Sequence, residues 1–505
     1  MNPCFIVLLD AELNWLGQPT RVFRSIDGRS CLDILLQQVD LLPYPAWVSV
    51  YGEPRNGSLR QLQEKYPEIR FLQSSTQTEV SRMTQVLDDS HCDTIIRVQA
   101  DNPILGEEII EPGLKMLQDC DFSYTWGWPV GINLEFISKE VLQSCHKKYP
   151  ENRVRQTVLN ELSLDTHTKS FLPQETTLNR PHVRWTTGDE DDYRRLAPLL
   201  INRQDFGSLE QLMQNWDELY KADPPAPRTL IVEPTNHCNL NCIMCPRDEM
   251  QRPFGTMKPD LYKIILKQAK ECEIREIVLS GFGEPLLSKE IFNMIALAKD
   301  AGFQVIINTN GTCLTDSNIE RLVAVAPDYL NVSLDGATKA TYESVRIKGK
   351  FDNVTRNFEA LLKARETAPL GSSMKISVKL IEMAATVGES QAFVDHWKDR
   401  VDQVLLPEAH NWGGVMNQLG SSEPKEEERF PCRELWRTMI VFYDGSVSIC
   451  CSIFDNNFEM GHVPETHLLD IWRSSPYQKL RQCHLSGNYR DIEPCQDCDN
   501  WKSMG

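Results

Sequence analysis

A chain of 505 residues with 41% hydrophobic and 25% charged side chains has the composition of a folded globular protein, and its length allows roughly three domains of about 150 residues. Its 71 acidic against 53 basic residues give a formal charge of -18, which argues against a phosphate backbone, and so against nucleic acid, as the main partner. No apolar run approaches a membrane span, and sixteen cysteines with no export signal argue for reduced thiols in the cytoplasm, where clustered cysteines more often bind metal than pair.

The opening MNPCFIVLLDAELNW carries no basic leader, and Asp10 and Glu12 interrupt its apolar run, so a strand is expected there rather than a signal peptide. FIVLL, AWVSVYG and TIIRVQAD read as strands among helical patterns, giving an α/β segment over 1–205. Its scattered Cys4, Cys31, Cys92, Cys120 and Cys145 read as small buried apolar side chains. Through ADNPILG at 100–106, WPVGINLEFISKEVL and DDYRRL, this segment resembles the nucleotide-sugar cytidylyltransferases of the spore-coat polysaccharide type, which implies a nucleotidyltransferase-like α/β sandwich. It departs from that family at the nucleotide loop, where LLDAELNWLGQPTRVF lacks the glycine run and offers only Arg21 and Arg24. Asp101 matches the family's first metal-binding aspartate, but Gly188 stands at the second, with Asp189 one place late. A degenerate transferase domain, kept for binding or assembly as readily as for activity, is the expectation.

A linker over 206–228 ends in the proline-rich KADPPAPR, and the charged run SSEPKEEERFP at 421–431 marks a second break. Between them TLIVEP, IREIVLSG, QVIINTNG, YLNVSLDG and MKISVKLIEM alternate with LYKIILKQAKEC, KEIFNMIALAKDAG, NIERLVAVAP and FDNVTRNFEALLKARE. This βα repeat predicts a partial (β/α)6 TIM-type barrel over 229–420, with functional groups at the C-terminal strand ends.

After its first strand comes CNLNCIMCPR, in which Cys238, Cys242 and Cys245 are spaced CxxxCxxC. Three thiolates are one short for a closed zinc site but suit a cubane cluster with one iron left open. The triad, with Met244 before its third cysteine, resembles the radical SAM signature. That resemblance implies a 4Fe-4S cluster whose open iron chelates S-adenosyl-L-methionine (SAM), reductive cleavage to a 5'-deoxyadenosyl radical, and hydrogen abstraction from a substrate. Three further strand ends match in order. SGFGEPLL resembles the family's GGEP turn, in which Gly283 and Pro285 shape the backbone and Glu284 helps receive the methionine ammonium. NTNGT contributes Asn310, VSLDG contributes Ser333 and Asp335 for the ribose hydroxyls, and Arg346 stands where the methionine carboxylate is often held. HNWGG at 410–414 is compatible with a substrate-facing loop, with His410 structural.

Over 421–505, Cys432 and Cys450 bracket an apolar hairpin turning at YDGS, and CQDC adds Cys495 and Cys498. With Gly445 five residues before Cys450, then GHV, LLDIW and a closing CxxCxxW, this resembles the SPASM extension, which implies auxiliary iron-sulfur clusters. Because the sequence stops shortly after Cys498, one auxiliary 4Fe-4S cluster on Cys432, Cys450, Cys495 and Cys498 is expected, with Cys451 and Cys483 as substitutes and a zinc knuckle as the alternative. Trp436, Trp472 and Trp501 are expected to pack this small domain. The three-part arrangement resembles the spiro-SPASM proteins. It implies a peptide, protein or sugar substrate and an electron donor such as flavodoxin or ferredoxin. Two other readings remain open: a nucleotidyltransferase that activates a sugar around structural clusters, and a non-catalytic electron-transfer or binding protein.

Overall fold

The computed structural model divides the chain into two compact units, Met1–Ala222 and Asp223–Gly505. It describes every residue except 13–19, 54–57, 77, 126, 149–167, 172–177, 179, 181–182, 189, 202–207, 221–225, 369–373, 417–430, 433, 456–457 and 501–505. Asp189, Trp501, the middle of the nucleotide-loop stretch and most of the charged run at 421–431 therefore lie outside the described residues.

In the first unit, strands β1 (Pro3–Asp10), β2 (Ala46–Tyr51), β3 (Arg70–Ser74), β4 (Thr94–Gln99), β5 (Phe122–Thr125), β6 (Glu135–Ser138) and β7 (Thr168–Phe171) form a sheet in the order β3-β2-β1-β4-β6-β5-β7. Central β1 pairs parallel with β2 and β4, whereas β6 is antiparallel to both of its neighbours. β1 is a continuous apolar run because both faces are covered. Phe5, Val7 and Leu9 pack with Leu32 and Leu35 of helix α1 (Cys31–Asp40), and Cys4, Ile6 and Leu8 pack with Val80 and Met83 of α2 (Glu79–Asp89). Each such fully buried side chain contributes about 1.5–3 kcal/mol. Cys4, Cys31 and Cys92 are buried within this packing. Burial pushes the Cys31 thiol up to about 12.

The second unit is built on β8 (Thr229–Val232), β9 (Glu276–Leu279), β10 (Gln304–Thr309), β11 (Tyr329–Ser333), β12 (Lys375–Lys379) and β13 (Gln403–Leu405), all parallel in the sheet order β13-β12-β11-β10-β9-β8. Helices α3 (Pro259–Glu271), α4 (Ile291–Asp300), α5 (Asp316–Val325), α6 (Lys339–Val345), α7 (Phe351–Thr367) and α8 (Ser390–Trp397) connect them. Alternation within the strands separates two faces. Ile277, Leu279, Val305, Ile307, Leu330, Val332, Ile376 and Val378 join the helices in one core. On the other face Asn308 Nδ2 donates to Ser280 Oγ at 3.1 Å, Asn331 Nδ2 to Asn308 Oδ1 at 2.8 Å, and Ser377 Oγ to Asn331 Oδ1. The strands thus form a partial α/β barrel with a polar, hydrogen-bonded lumen.

The cysteine-rich segment continues the same sheet. Its strand β14 (Thr438–Val441) pairs parallel with the free edge of β8, followed by antiparallel β15 (Ser446–Ser448) and β16 (Gly461–His462). Pairing removes an open strand edge beside the site. Leu435, Met439, Val447, Val463 and Trp472 enter the barrel's own core. The hairpin turns at Gly445, whose φ of +101° suits glycine and where a Cβ would collide with the Val463 carbonyl oxygen. No helix among the described residues is long and apolar enough to cross a membrane.

Candidate active site

The triad loop leaves β8 at the C-terminal mouth of the barrel and is held by its own polar side chains. Asn236 bonds Pro253 O at 2.8 Å and receives Gly255 N–H at 2.8 Å, while Thr235 Oγ1 donates to Gly255 O at 2.7 Å. Arg247, two residues after Cys245, donates to the carbonyls of Cys238 and Leu240, both at 3.0 Å, and to Asn241 Oδ1 at 2.9 Å. Asn241 and Cys242 then pair antiparallel with Ile347 and Arg346. These bonds tie down the backbone of the loop that carries the three thiols.

Burial raises the Cys245 thiol to about 11, helped by Cys242 and Cys238, and raises the Cys242 thiol against the opposing Arg346 charge. Buried thiols of this kind stay protonated at neutral pH unless a bound cation takes up their charge. Two side chains are aimed at the sulfurs: Arg346 Nη1 lies 3.5 Å from Cys242 Sγ and Asn310 Nδ2 lies 3.8 Å from Cys238 Sγ. Among the described residues no three His, Cys, Asp or Glu side chains converge closely enough for a single metal ion. Three mutually interacting thiols, with donors directed at two of their sulfurs, are a donor set of the kind that holds an iron-sulfur group.

The three strand ends meet at this loop. Gly283 passes under it, where a Cβ would collide with Thr235 O and lie 2.6 Å from His237 O. Pro285, buried, begins a short 3-10 turn. Glu284 is 1% exposed and holds the next strand end: Oε1 accepts from Thr309 Oγ1 at 2.7 Å and Leu286 N at 3.1 Å, and Oε2 from Asn310 N at 2.7 Å. Burial raises its pKa and these donors oppose the rise. One carboxylate lone pair remains free for an ammonium. Ser333, buried, ends β11. Asp335, fully buried with φ of +49°, accepts from Arg346 Nε at 2.8 Å and from Arg346 Nη2, while its other oxygen takes Ile381 N–H at 2.7 Å. Burial opposes the Arg346 charge, but Asp335 and then Cys242 more than offset it. Asp335 and Arg346 thus act as a pair, with two guanidinium hydrogens left over.

Met244 is buried and its carbonyl accepts Trp412 Nε1–H at 2.8 Å, which ties HNWGG to the triad loop. Sequence reasoning placed HNWGG near substrate but missed this bond. It also missed Arg247, Asn308, Asn331 and Lys379. The lumen residues occupy the polar positions of strands β10 to β12, and the signal that reveals them is alternation read for a closed barrel rather than for a solvent-facing sheet.

Later in the chain, Cys432 precedes the short helix Glu434–Arg437, Cys450 follows β15, and Cys495 lies in the helical turn Glu493–Gln496. Burial pushes the Cys432 and Cys450 thiols well above the ordinary range, and Cys495 and Cys498 add to both shifts. The four thiols are therefore neighbours, again with no convergence on a single ion among the described residues. Cys451 is beside them, receiving Asn500 Nδ2–H at 3.6 Å, and Cys483 lies on the helix Ser475–Leu485. Trp472 is fully buried against Tyr477, with Arg481 4.2 Å above its ring, and serves packing.

In the first unit Arg21 and Arg24 both bind Glu190, at 3.2 and 2.7 Å. Burial raises the Asp101 carboxyl to about 6; its strongest charged neighbours are Arg184 and Asp192, which pair with each other at 2.7 Å. The basic side chains and the second carboxylate near Asp101 are thus already engaged within the protein.

The family description "Radical SAM superfamily" matches residues 232–370, and "SPASM: Iron-sulfur cluster-binding domain" matches 432–499. The chain is 36% identical over 313 residues to the tungsten-containing aldehyde ferredoxin oxidoreductase cofactor-modifying protein of Pyrococcus furiosus, covering 53% of this chain and 86% of that one. It is also 36% identical over 141 residues to the AdoMet-dependent heme synthase of Methanosarcina barkeri, spanning 28% of this chain and 40% of the relative. Among solved structures, a cytidylyltransferase from Leptospira borgpetersenii aligns with 12% identity and a TM-score of 0.38 over 44% of this chain and 96% of its own. With a matching relative covered over most of its length and two matching domain descriptions, the chain belongs to the radical SAM superfamily and is an enzyme whose cofactors are S-adenosyl-L-methionine and 4Fe-4S clusters.

Proposed function

We propose that the chain abstracts a hydrogen atom from an unactivated carbon of a peptide, protein or sugar substrate at the mouth of its barrel. The observation that carries this reading is the cross-bonded loop of three half-buried cysteines, into which Arg346 and Asn310 direct donors at two of the sulfurs. Cys238, Cys242 and Cys245 would hold the cluster that binds SAM, and the two cofactors together supply reductive cleavage and hydrogen abstraction. Glu284 keeps one lone pair for the methionine ammonium, and Arg346 keeps two hydrogens for the carboxylate while clamping Asp335. Ser333 and Asp335 stand at the strand end proposed to face the ribose, Gly283 and Pro285 keep the turn close to the loop, and Met244 backs it.

Cys432, Cys450, Cys495 and Cys498 would hold one auxiliary cluster with every iron ligated, which suits electron relay rather than substrate binding. In this reading 1–205, 229–420 and 421–505 are functional segments of a cytoplasmic protein served by a small electron donor of the flavodoxin or ferredoxin kind. Anaerobic reconstitution followed by strong reduction in the presence of SAM tests the proposal. Wild type should yield 5'-deoxyadenosine and Cys242→Ala none; a wild type that carries iron but yields no deoxyadenosine would refute it.

A further inference from the structure

Lys379 ends β12 on the face that points into the barrel, since Ser377, two residues earlier, bonds Asn331 there. Its backbone is fixed, because its carbonyl accepts both Leu334 N–H at 3.0 Å and Asp335 N–H at 3.1 Å. Its ammonium has no hydrogen bond or ion pair among the described residues. The nearby carboxylate of Asp335 is committed to Arg346 and to Ile381 N–H. Near enough to feel the Lys379 charge is His410, its ring 4.2 Å from that of Trp412, held neutral by burial and by that charge, down to a pKa of about 4. Its Nδ1 accepts Trp412 N–H at 3.4 Å, so the ring proton belongs on Nε2 and is available to donate. Beside them is an aromatic wall in which Phe282 lies 5.7 Å from Trp412 and 6.1 Å from Phe454.

Among the described residues the Lys379 ammonium is partly desolvated, set near the Arg346 charge, and faced only by an Asp335 carboxylate already committed elsewhere and by the Cys451 thiol. Such an ammonium is unfavourable until an anion reaches it, and a neighbouring imidazole N–H and ring wall complete a site for an anionic group on an apolar or planar body. We propose that Lys379 is the anchor of the substrate pocket: it binds a carboxylate or phosphate group of the substrate, His410 donates a second hydrogen bond from Nε2, and Phe282 and Trp412 flank the remainder. This rests on the radical reading, because Lys379 shares the lumen with Asp335 and Arg346. It adds a substrate class to that reading: a molecule that brings its own negative charge.

The test uses pyridoxal 5'-phosphate, an anionic aromatic aldehyde, with the full reconstituted chain. Its aldehyde condenses with a lysine amine, losing water, and borohydride reduces the imine to a stable secondary amine that peptide mass mapping locates. Burial favours the free amine of Lys379. Lys379 should therefore be labelled ahead of exposed lysines, with the label lost in Lys379→Gln. Inorganic phosphate or acetate at ten times its dissociation constant should cut labelling to about a tenth. Stronger competition by phosphate would identify a phosphate ester as the substrate group, and stronger competition by acetate a carboxylate. Label confined to other lysines, or label at Lys379 that neither anion slows, overturns the proposal. Labelling does not depend on SAM cleavage, so the two readings fail separately. A chain labelled at Lys379 that makes no deoxyadenosine loses the radical reading, and one that makes deoxyadenosine without an anion-sensitive Lys379 loses only the anchor.

Discussion

Two carboxylates, one fully buried and one partly, show how single residues affect the stability of each unit. Glu233 is fully buried and receives both terminal nitrogens of Arg252, at 2.9 and 3.0 Å, together with Phe282 N–H at 3.1 Å. Arg252→Met would leave that carboxylate buried without its partner and should cost about 3–5 kcal/mol in urea unfolding of the second unit. Adding Glu233→Gln should recover much of the loss, whereas equal effects of the single and double changes would show that the pair is not the cause. Asp101 behaves oppositely. Burial raises its carboxyl from 3.8 to about 6, so its protonated form is favoured in the fold, and the associated stability is present below about pH 4 and lost as pH rises through 6. Asp101→Asn, neutral at every pH, should stabilise the first unit by about 2 kcal/mol at pH 7, after allowance for partial solvent screening. At pH 3.5 urea melts of the two proteins should coincide.

At the scale of elements, most of the barrel is legible in the sequence because its strands are apolar runs closed by glycine-bearing turns. TLIVEP, IREIVLSG, QVIINTNG, YLNVSLDG and MKISVKLIEM become β8 to β12. The sixth strand, Gln403–Leu405, is too short to stand out from its surroundings. The order of the turns around the triad is legible for the same reason, but their mutual bonds are not. Arg346 reaches Asp335 only because Asp335 adopts a left-handed backbone and because the Asn241–Cys242 bridge carries Arg346 back to the loop, and neither is encoded by local pattern. Lys379 looks like the exposed side of an alternating strand until closure turns that side inward. The GEP turn gives a direct test of element packing. Gly283→Ala places a Cβ against the carbonyls of Thr235 and His237, so the turn and the triad loop must separate. A strain of about 1–3 kcal/mol is expected, with a clear fall in iron bound by the triad on reconstitution. Unchanged iron content would mean that the loop does not depend on this contact.

At the scale of the molecule, the cysteine-rich segment is part of the barrel's fold and not an appendage. β14 covers the edge of β8, and Met439, Val441, Val447 and Trp472 complete the core shared with the helices. A chain cut after residue 430 should therefore lose cooperative unfolding of its second unit and aggregate through the exposed strand edge. A folded, soluble truncation with a sharp calorimetric transition would contradict this.

The central claim is that two cysteine sets serve two separate clusters and that only the set at the barrel mouth binds SAM. The most direct measurement takes the Cys432→Ala/Cys450→Ala variant, reconstitutes it anaerobically, counts iron, and records the electron paramagnetic resonance of the reduced protein with and without SAM. The account predicts about four irons per chain, half the wild-type content, and a cluster signal that shifts when SAM is added. Loss of all iron, or retention of a cluster whose signal is indifferent to SAM, would contradict it.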